Sequence, residues 1–162
     1  EGNNTQTETT TISGTSCSLC VDLASALLVP SADPIDSGDS VTITYQVVNV
    51  GDMDTTTQIH PTTGVLLSLN AKIDDGFTGT FSPGAVTSSN PNVTCTSLNI
   101  FGFSNTSCKG HLAPGEGTTI TLILNNNVGA SILVEGKADP TGDAAEFIET
   151  NNNLSQTIKI NP

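Results

Sequence analysis

The stretch VTITYQVVNV (residues 41–50) decides the fold. Val41, Ile43, Tyr45 and Val47 fall on one side of a period-two pattern, and Thr42, Thr44 and Gln46 on the other. Only an extended chain sends alternate residues to opposite faces, so this is a half-buried β-strand. Its β-branched and aromatic residues fit a pleated surface. Gly51-Asp52 ends it with turn chemistry.

The same pattern repeats on both sides. Upstream, VDLASALLVP (21–30) reads as a strand stopped by Pro30, and SADPIDSGDS (31–40) as a turn cluster. Downstream, TTTQIHPTTGVLLSLN (55–70) reads as one or two strands broken at Pro61. FTGTF (77–81), VTCTSLNIF (93–101), TTITLIL (118–124), ASILVEGKA (130–138) and LSQTIKI (154–160) follow as strands. Turn signals recur about every ten residues, the mark of an antiparallel sandwich. No helix longer than a turn is expected, except over Ala144 to Ile148.

Composition agrees. The 162 residues are 35% apolar and only 12% charged, so polarity comes from Thr, Ser and Asn. The net charge is −12 with four lysines and no arginine. Phosphate backbones and anionic membrane surfaces both need a cationic face, so neither nucleic acid nor such a membrane is an expected partner. No apolar run approaches the about 20 residues of a membrane span. The chain starts at Glu1, which reads as a secreted, extracellular chain with its signal peptide removed. Asn-x-Ser/Thr sequons at Asn3, Asn92, Asn105 and Asn153 are candidate N-glycosylation sites, so covalent glycans are expected, and Thr9 to Thr11 could carry O-linked sugar.

Cys17, Cys20, Cys95 and Cys108 form an even set that permits three connectivities. CTSLNIFGFSNTSC puts Cys95 and Cys108 at the two ends of a hairpin, so these are paired, leaving Cys17 and Cys20 to each other or to another subunit. A redox CxxC would open a helix in a βαβ unit, and none is visible. Structural disulfides suit a secreted β-rich chain.

Three stretches together carry a family resemblance. SGDSVTITYQVVNVGDMDT has a Gly-Asp turn, an alternating strand and Asn-x-Gly; LAPGEGTTITLIL and ADPTGDAAEFIETNNNLSQTIKI supply a Pro-Gly-led strand and a closing Asp-Pro…Glu-x-Asn-Asn hairpin. The chain resembles the CARDB group of immunoglobulin-like adhesion modules over about residues 22–160, and is similar to the related DUF11 repeats. The resemblance implies an immunoglobulin-like antiparallel β-sandwich of seven to nine strands, and the leader's own Thr-rich residues read as an extended N-terminal strand before it. Residues 1–16 form that extended segment and 17–162 the sandwich. The stretch around 60–110 is longer than the family's usual middle and reads as an insertion.

No constellation for catalysis can be assembled: there is no G-x-S-x-G elbow, phosphate loop or HExxH helix, and no enzyme is expected. His60 and His111 read as surface residues, and Asp74-Asp75-Gly76 as a solvated turn. Asp139, Asp143, Glu146 and Glu149 cluster before the last strand. Hard cations such as Ca²⁺ take several carboxylate oxygens, but the spacing is not that of an EF-hand, and turn chemistry accounts for it without an ion. No other cofactor is expected.

The leader EGNNTQTETTTISGTS is extended and Thr-rich, with Ile12 as its one large apolar residue. Thr5, Thr7, Thr9 and Thr11 share one side of such a strand. A segment of this kind can pair with its own sheet or with a neighbour's, where main-chain bonds supply the affinity. Donated head-to-tail, it builds a fibre that does not close. The first expectation is therefore a structural subunit of an extracellular filament or pilus, with identical subunits as partners. The alternative is a monomeric adhesion or carbohydrate-binding module that meets host or cell-surface glycans. An exposed aromatic platform would favour it, and Phe77, Phe81, Phe101 and Phe103 are the candidates, with Tyr45 expected inside.

Overall fold

The structure, a computed structural model, describes residues 8–9, 19–74, 79–100, 102–146 and 148–162. The strands are β1 (Glu8–Thr9), β2 (Leu23–Pro30), β3 (Ile35–Asp36), β4 (Val41–Asn49), β5 (Leu67–Ile73), β6 (Thr80–Ser88), β7 (Val93–Ile100), β8 (Phe103–Gly110), β9 (Gly117–Val128), β10 (Ser131–Ala138) and β11 (Asn153–Asn161). Nine of them are seven residues or longer, and β1 and β3 have two residues each. One sheet runs β1-β2-β4-β9-β6, and the other β3-β11-β10-β5-β8-β7. Every pairing is antiparallel except β3 with β11. This is the all-β sandwich that the alternation at 41–50 requires.

The two inner faces make one core. Val41, Ile43, Tyr45 and Val47 of β4 are buried, and Thr42, Thr44 and Gln46 are only partly covered on the outer face, as the period-two pattern dictates. They lie beside Ile120, Leu122 and Leu124 of β9 and face Leu67, Leu69, Ile132, Val134 and Ile158 of the second sheet. The Tyr45 hydroxyl bonds Ser25 Oγ at 2.6 Å, and Ser25 Oγ donates to the Asn152 carbonyl at 2.6 Å, joining the first sheet to the turn before β11. Gly136 of β10 sits against that ring: a Cβ there would lie 2.5 Å from Tyr45 Cε2.

The Asn-x-Gly of 49–51 has a physical reason. Asn49 is fully buried and its amide donates to the Met53 and Leu112 carbonyls, while its Oδ1 accepts from Gly51 N–H at 3.2 Å. A Cβ at Gly51 would collide with the Cys20 carbonyl. In the 113–116 turn, Glu116 accepts from Ala113 N–H and the Asn90 amide, both at 2.8 Å, and Gly115 adopts φ +74°.

Four expectations need correction. Of the one or two strands expected over 55–70, the part before Pro61 is a 3₁₀ turn at Thr55–Thr57 followed by turns, and the strand after Pro61 is β5, which begins only at Leu67. The turn cluster 31–40 contains β3. Phe77 and Thr78 of the expected strand FTGTF lie outside the described residues, and its end belongs to β6, which runs on through Pro83 and Gly84; an edge strand tolerates both because it bends there, with register shifts at 80–82 and 83–86. The described residues of 144–148 are not helical, and a 3₁₀ turn follows at Glu149–Asn151. The stretch 60–110 holds β5 to β8, which are built into both sheets.

Candidate functional site

The cysteine hairpin forms as expected. Cys95 and Cys108 are bonded across β7 and β8, 13 residues apart in sequence. Cys20 is also disulfide-bonded, and its expected partner Cys17 lies outside the described residues. Of the leader, Glu8 and Thr9 pair with Leu28 and Leu27 of β2 in the same chain. Thr5, Thr7, Thr11 and Ile12 lie outside the described residues, as does Asn3.

The acidic residues before β11 are not drawn together. Asp139 is buried, and its carboxylate accepts from Asp143 N–H at 3.0 Å and Ala144 N–H at 2.8 Å. Asp143 accepts from the Thr141 hydroxyl at 2.8 Å. Glu146 reaches back to β2: one oxygen accepts from Leu23 N–H at 2.8 Å and the other from the Asn152 amide. These carboxylates cap a turn and tie it to the first sheet. The Glu149 side chain lies outside the description. Among the described residues no group of three or more His, Cys, Asp or Glu could hold a metal ion.

The three described sequons differ in position. Asn92 is exposed in the turn before β7, Asn153 is exposed at the start of β11, and Asn105 is half-buried in the middle of β8. Among the phenylalanines, Phe81 is buried and Phe103 is 37% exposed; Phe77 and Phe101 lie outside the described residues. His60 is exposed and accepts from Thr62 N–H at Nδ1.

Two surfaces emerge that single strands could not reveal. The first is a groove of about 600 Å³ on the outer face of the second sheet. Register aligns Ser155, Glu135, Asn70 and Asn105 in one row across β11, β10, β5 and β8, and Asn153, Lys137, Ser68 and Ser107 in the next. Asn70 Oδ1 is buried there without a partner. All four lysines of the chain (Lys72, Lys109, Lys137 and Lys159) stand exposed on this outer face.

The second surface is the outer edge of β7. Among the described residues this strand pairs with β8 alone. The Cys108 carbonyl accepts from Leu66 N–H on the β5 side, so Cys95–Cys108 is a non-hydrogen-bonded pair. Cys95, Ser97 and Asn99 therefore aim N–H and C=O away from β8, into the open edge. Other edges are guarded: β6 has Pro83 and two register shifts, and β3 has two residues. β7 has no proline, charge or register shift, and Leu98 on it is 62% exposed. The sequence shows that β7 is uncharged; that it lies at an edge depends on sheet order.

The two sheets and their connections define an immunoglobulin-like β-sandwich. Comparison with solved structures gives that class a nearer likeness: a crystal structure of a CARDB domain from Pyrococcus furiosus, in complex with di-metal ions, superposes with a TM-score of 0.57 at 13% identity, covering 95% of this chain and 99% of that one. The chain shares the CARDB fold. A solution structure of that domain (TM-score 0.49, 12% identity, 87% and 92% coverage) and a cohesin module from Clostridium perfringens (0.47, 9%, 89% and 98%) are more distant. No family profile and no curated protein sequence matches the chain.

Proposed function

We propose that this chain is a structural subunit of an extracellular filament, joined head-to-tail by β-strand addition of its N-terminal segment. The observation that carries the reading is β1: part of that segment is extended and pairs with the β2 edge. Among the described residues, β1 pairs with Leu27 and Leu28 of the eight-residue β2. The same pairing made between copies is a strand exchange, and a heterologous exchange propagates without closing. Disulfide-bonded Cys20, Cys95 and Cys108 suit an oxidising, extracellular setting. Electron microscopy of the isolated chain, with sizing beside it, tests the proposal. Uniform fibres that become monomers on removal of residues 1–16 support it. Monodisperse monomers with an intact leader refute it and make β1 an intrachain edge strand.

The polar groove favours a second reading, a surface module that holds a saccharide. Its hydroxyls, amides, Glu135 and Lys137 offer both donors and acceptors, and the unpartnered Asn70 Oδ1 needs a donor such as a sugar hydroxyl. A glycan array with wild type and Asn70→Leu separates the readings: saccharide binding lost in the variant supports the groove, and no binding by wild type removes it.

A further inference from the structure

We infer that the outer edge of β7 is a homotypic interface, on which β7 of a second copy pairs antiparallel across a two-fold axis. The strand is self-complementary in register. The residues whose backbone groups face outward are Cys95, Ser97 and Asn99, spaced by two with Ser97 at the centre. Antiparallel pairing about Ser97 sets Ser97 opposite its own copy and Cys95 opposite the partner's Asn99. Each such pair exchanges two N–H···O bonds. The intervening pairs then bring the exposed Leu98 against the partner's Thr96, covering apolar surface on the outer face.

Charge selects the same occupant. Two copies of a chain with net charge −12 repel at most approaches, but β7 carries no charged residue. Edge pairing there sets no like charges opposite one another, whereas an acidic partner segment would have no cation on the strand to meet. The Cys95–Cys108 bond holds β7 to β8, so the edge is presented in a fixed register. This interface uses no residue of the N-terminal segment. It joins copies side by side through the second sheet and stands whether or not that segment builds a fibre.

Hydrogen exchange of the full chain over a concentration series, with sedimentation of Ser97→Pro and Ser97→Ala, tests the inference. Thr96 and Leu98 N–H are already bonded to β8 and should not change. The N–H groups of Cys95, Ser97 and Asn99 should gain protection as concentration rises. Ser97→Pro deletes a central outward N–H and should raise the pairwise dissociation constant about a hundredfold. Ser97→Ala loses only the 2.7 Å side-chain bond to Thr106 and should associate like wild type. If Ser97→Pro does not fold, the exchange data on wild type decide alone. Free exchange of those three amides at every concentration overturns the inference. So does protection that is independent of concentration, which would place another segment of the same chain on the edge.

Discussion

The bond chain Tyr45–Ser25–Asn152 can be tested group by group, because its geometry fixes the direction of each proton. The Asn152 carbonyl can only accept, so Ser25 donates its one hydroxyl proton there, and Tyr45 must donate to Ser25. Burial pushes the Tyr45 phenol far above its ordinary value, with the Ser25 bond pulling the other way. Tyr45→Phe removes one donor and leaves Ser25 still bonded to Asn152, which costs about 1 kcal/mol. Ser25→Ala strands the fully buried Tyr45 hydroxyl, costing about 2–3 kcal/mol, while the Asn152 carbonyl keeps Ala138 N–H at 2.8 Å. The serine should therefore matter more than the tyrosine. In the double variant the stranded hydroxyl is gone, so adding Tyr45→Phe to Ser25→Ala should cost nothing further. Urea unfolding with the disulfides intact reads this out. With a slope of about 2 kcal/mol/M, the midpoint should fall by about 0.5 M for Tyr45→Phe and by about 1 M or more for Ser25→Ala. A larger loss for Tyr45→Phe than for Ser25→Ala, or simple additivity in the double variant, would refute the reasoning.

Gly136→Ala should destabilise by about 3 kcal/mol in the same assay, because the new methyl meets a buried ring that has nowhere to swing. Replacing Cys95 and Cys108 together by serine should cost about 3 kcal/mol, since the bond closes a loop 13 residues long, and the thermal midpoint should drop accordingly. Asp52 accepts Leu19 N–H at 2.8 Å and Cys20 N–H at 2.9 Å, and these bonds, Leu19's first, hold its carboxyl below the usual value. A depressed folded value stabilises the protein above the unfolded carboxylate range, near pH 4, and that contribution disappears as pH falls through the folded value. Asp52→Asn should accordingly flatten the decline in thermal midpoint measured below about pH 4, and an unchanged decline would exclude this carboxylate as a contributor.

Strands were legible where burial is one-sided. β4 and β11 each bury one face, so their alternation declares both strand and orientation. β6 was cut short because Pro83 and Gly84 break a central strand, and nothing local says that this one lies at an edge. Ala144 to Ile148 carries helix-forming residues, yet Glu146 is drawn to Leu23, which is distant in sequence, and to Asn152 beyond the segment. In the acidic cluster, read from the sequence as turn chemistry, spacing shows which carboxylates are near one another, not which backbone N–H groups they accept from. The groove was hidden more deeply. Its residues are the polar halves of β5, β8, β10 and β11, and only sheet order brings them into adjacent rows.

The contrast between β6 and β7 bears most directly on function, because each is the last strand of its sheet on the same side of the sandwich. Solvent and net charge are common to both, so in those respects the two edges serve as each other's control, although the disulfide staples only β7. β6 has the devices that keep an edge from pairing: a proline, and two shifts that bend the strand away from a regular ladder. β7 keeps an unbroken register from Val93 to Ile100. An isolated monomer would gain from guarding both edges, since an unpaired row of N–H and C=O groups recruits other strands. Guarding only one is the arrangement expected of a module that associates through the other. Moving the guard provides the reciprocal test: Leu98→Lys should leave the fold intact, because that side chain is already in solvent, and should weaken association at β7 by setting two like charges diagonally across the two-fold axis.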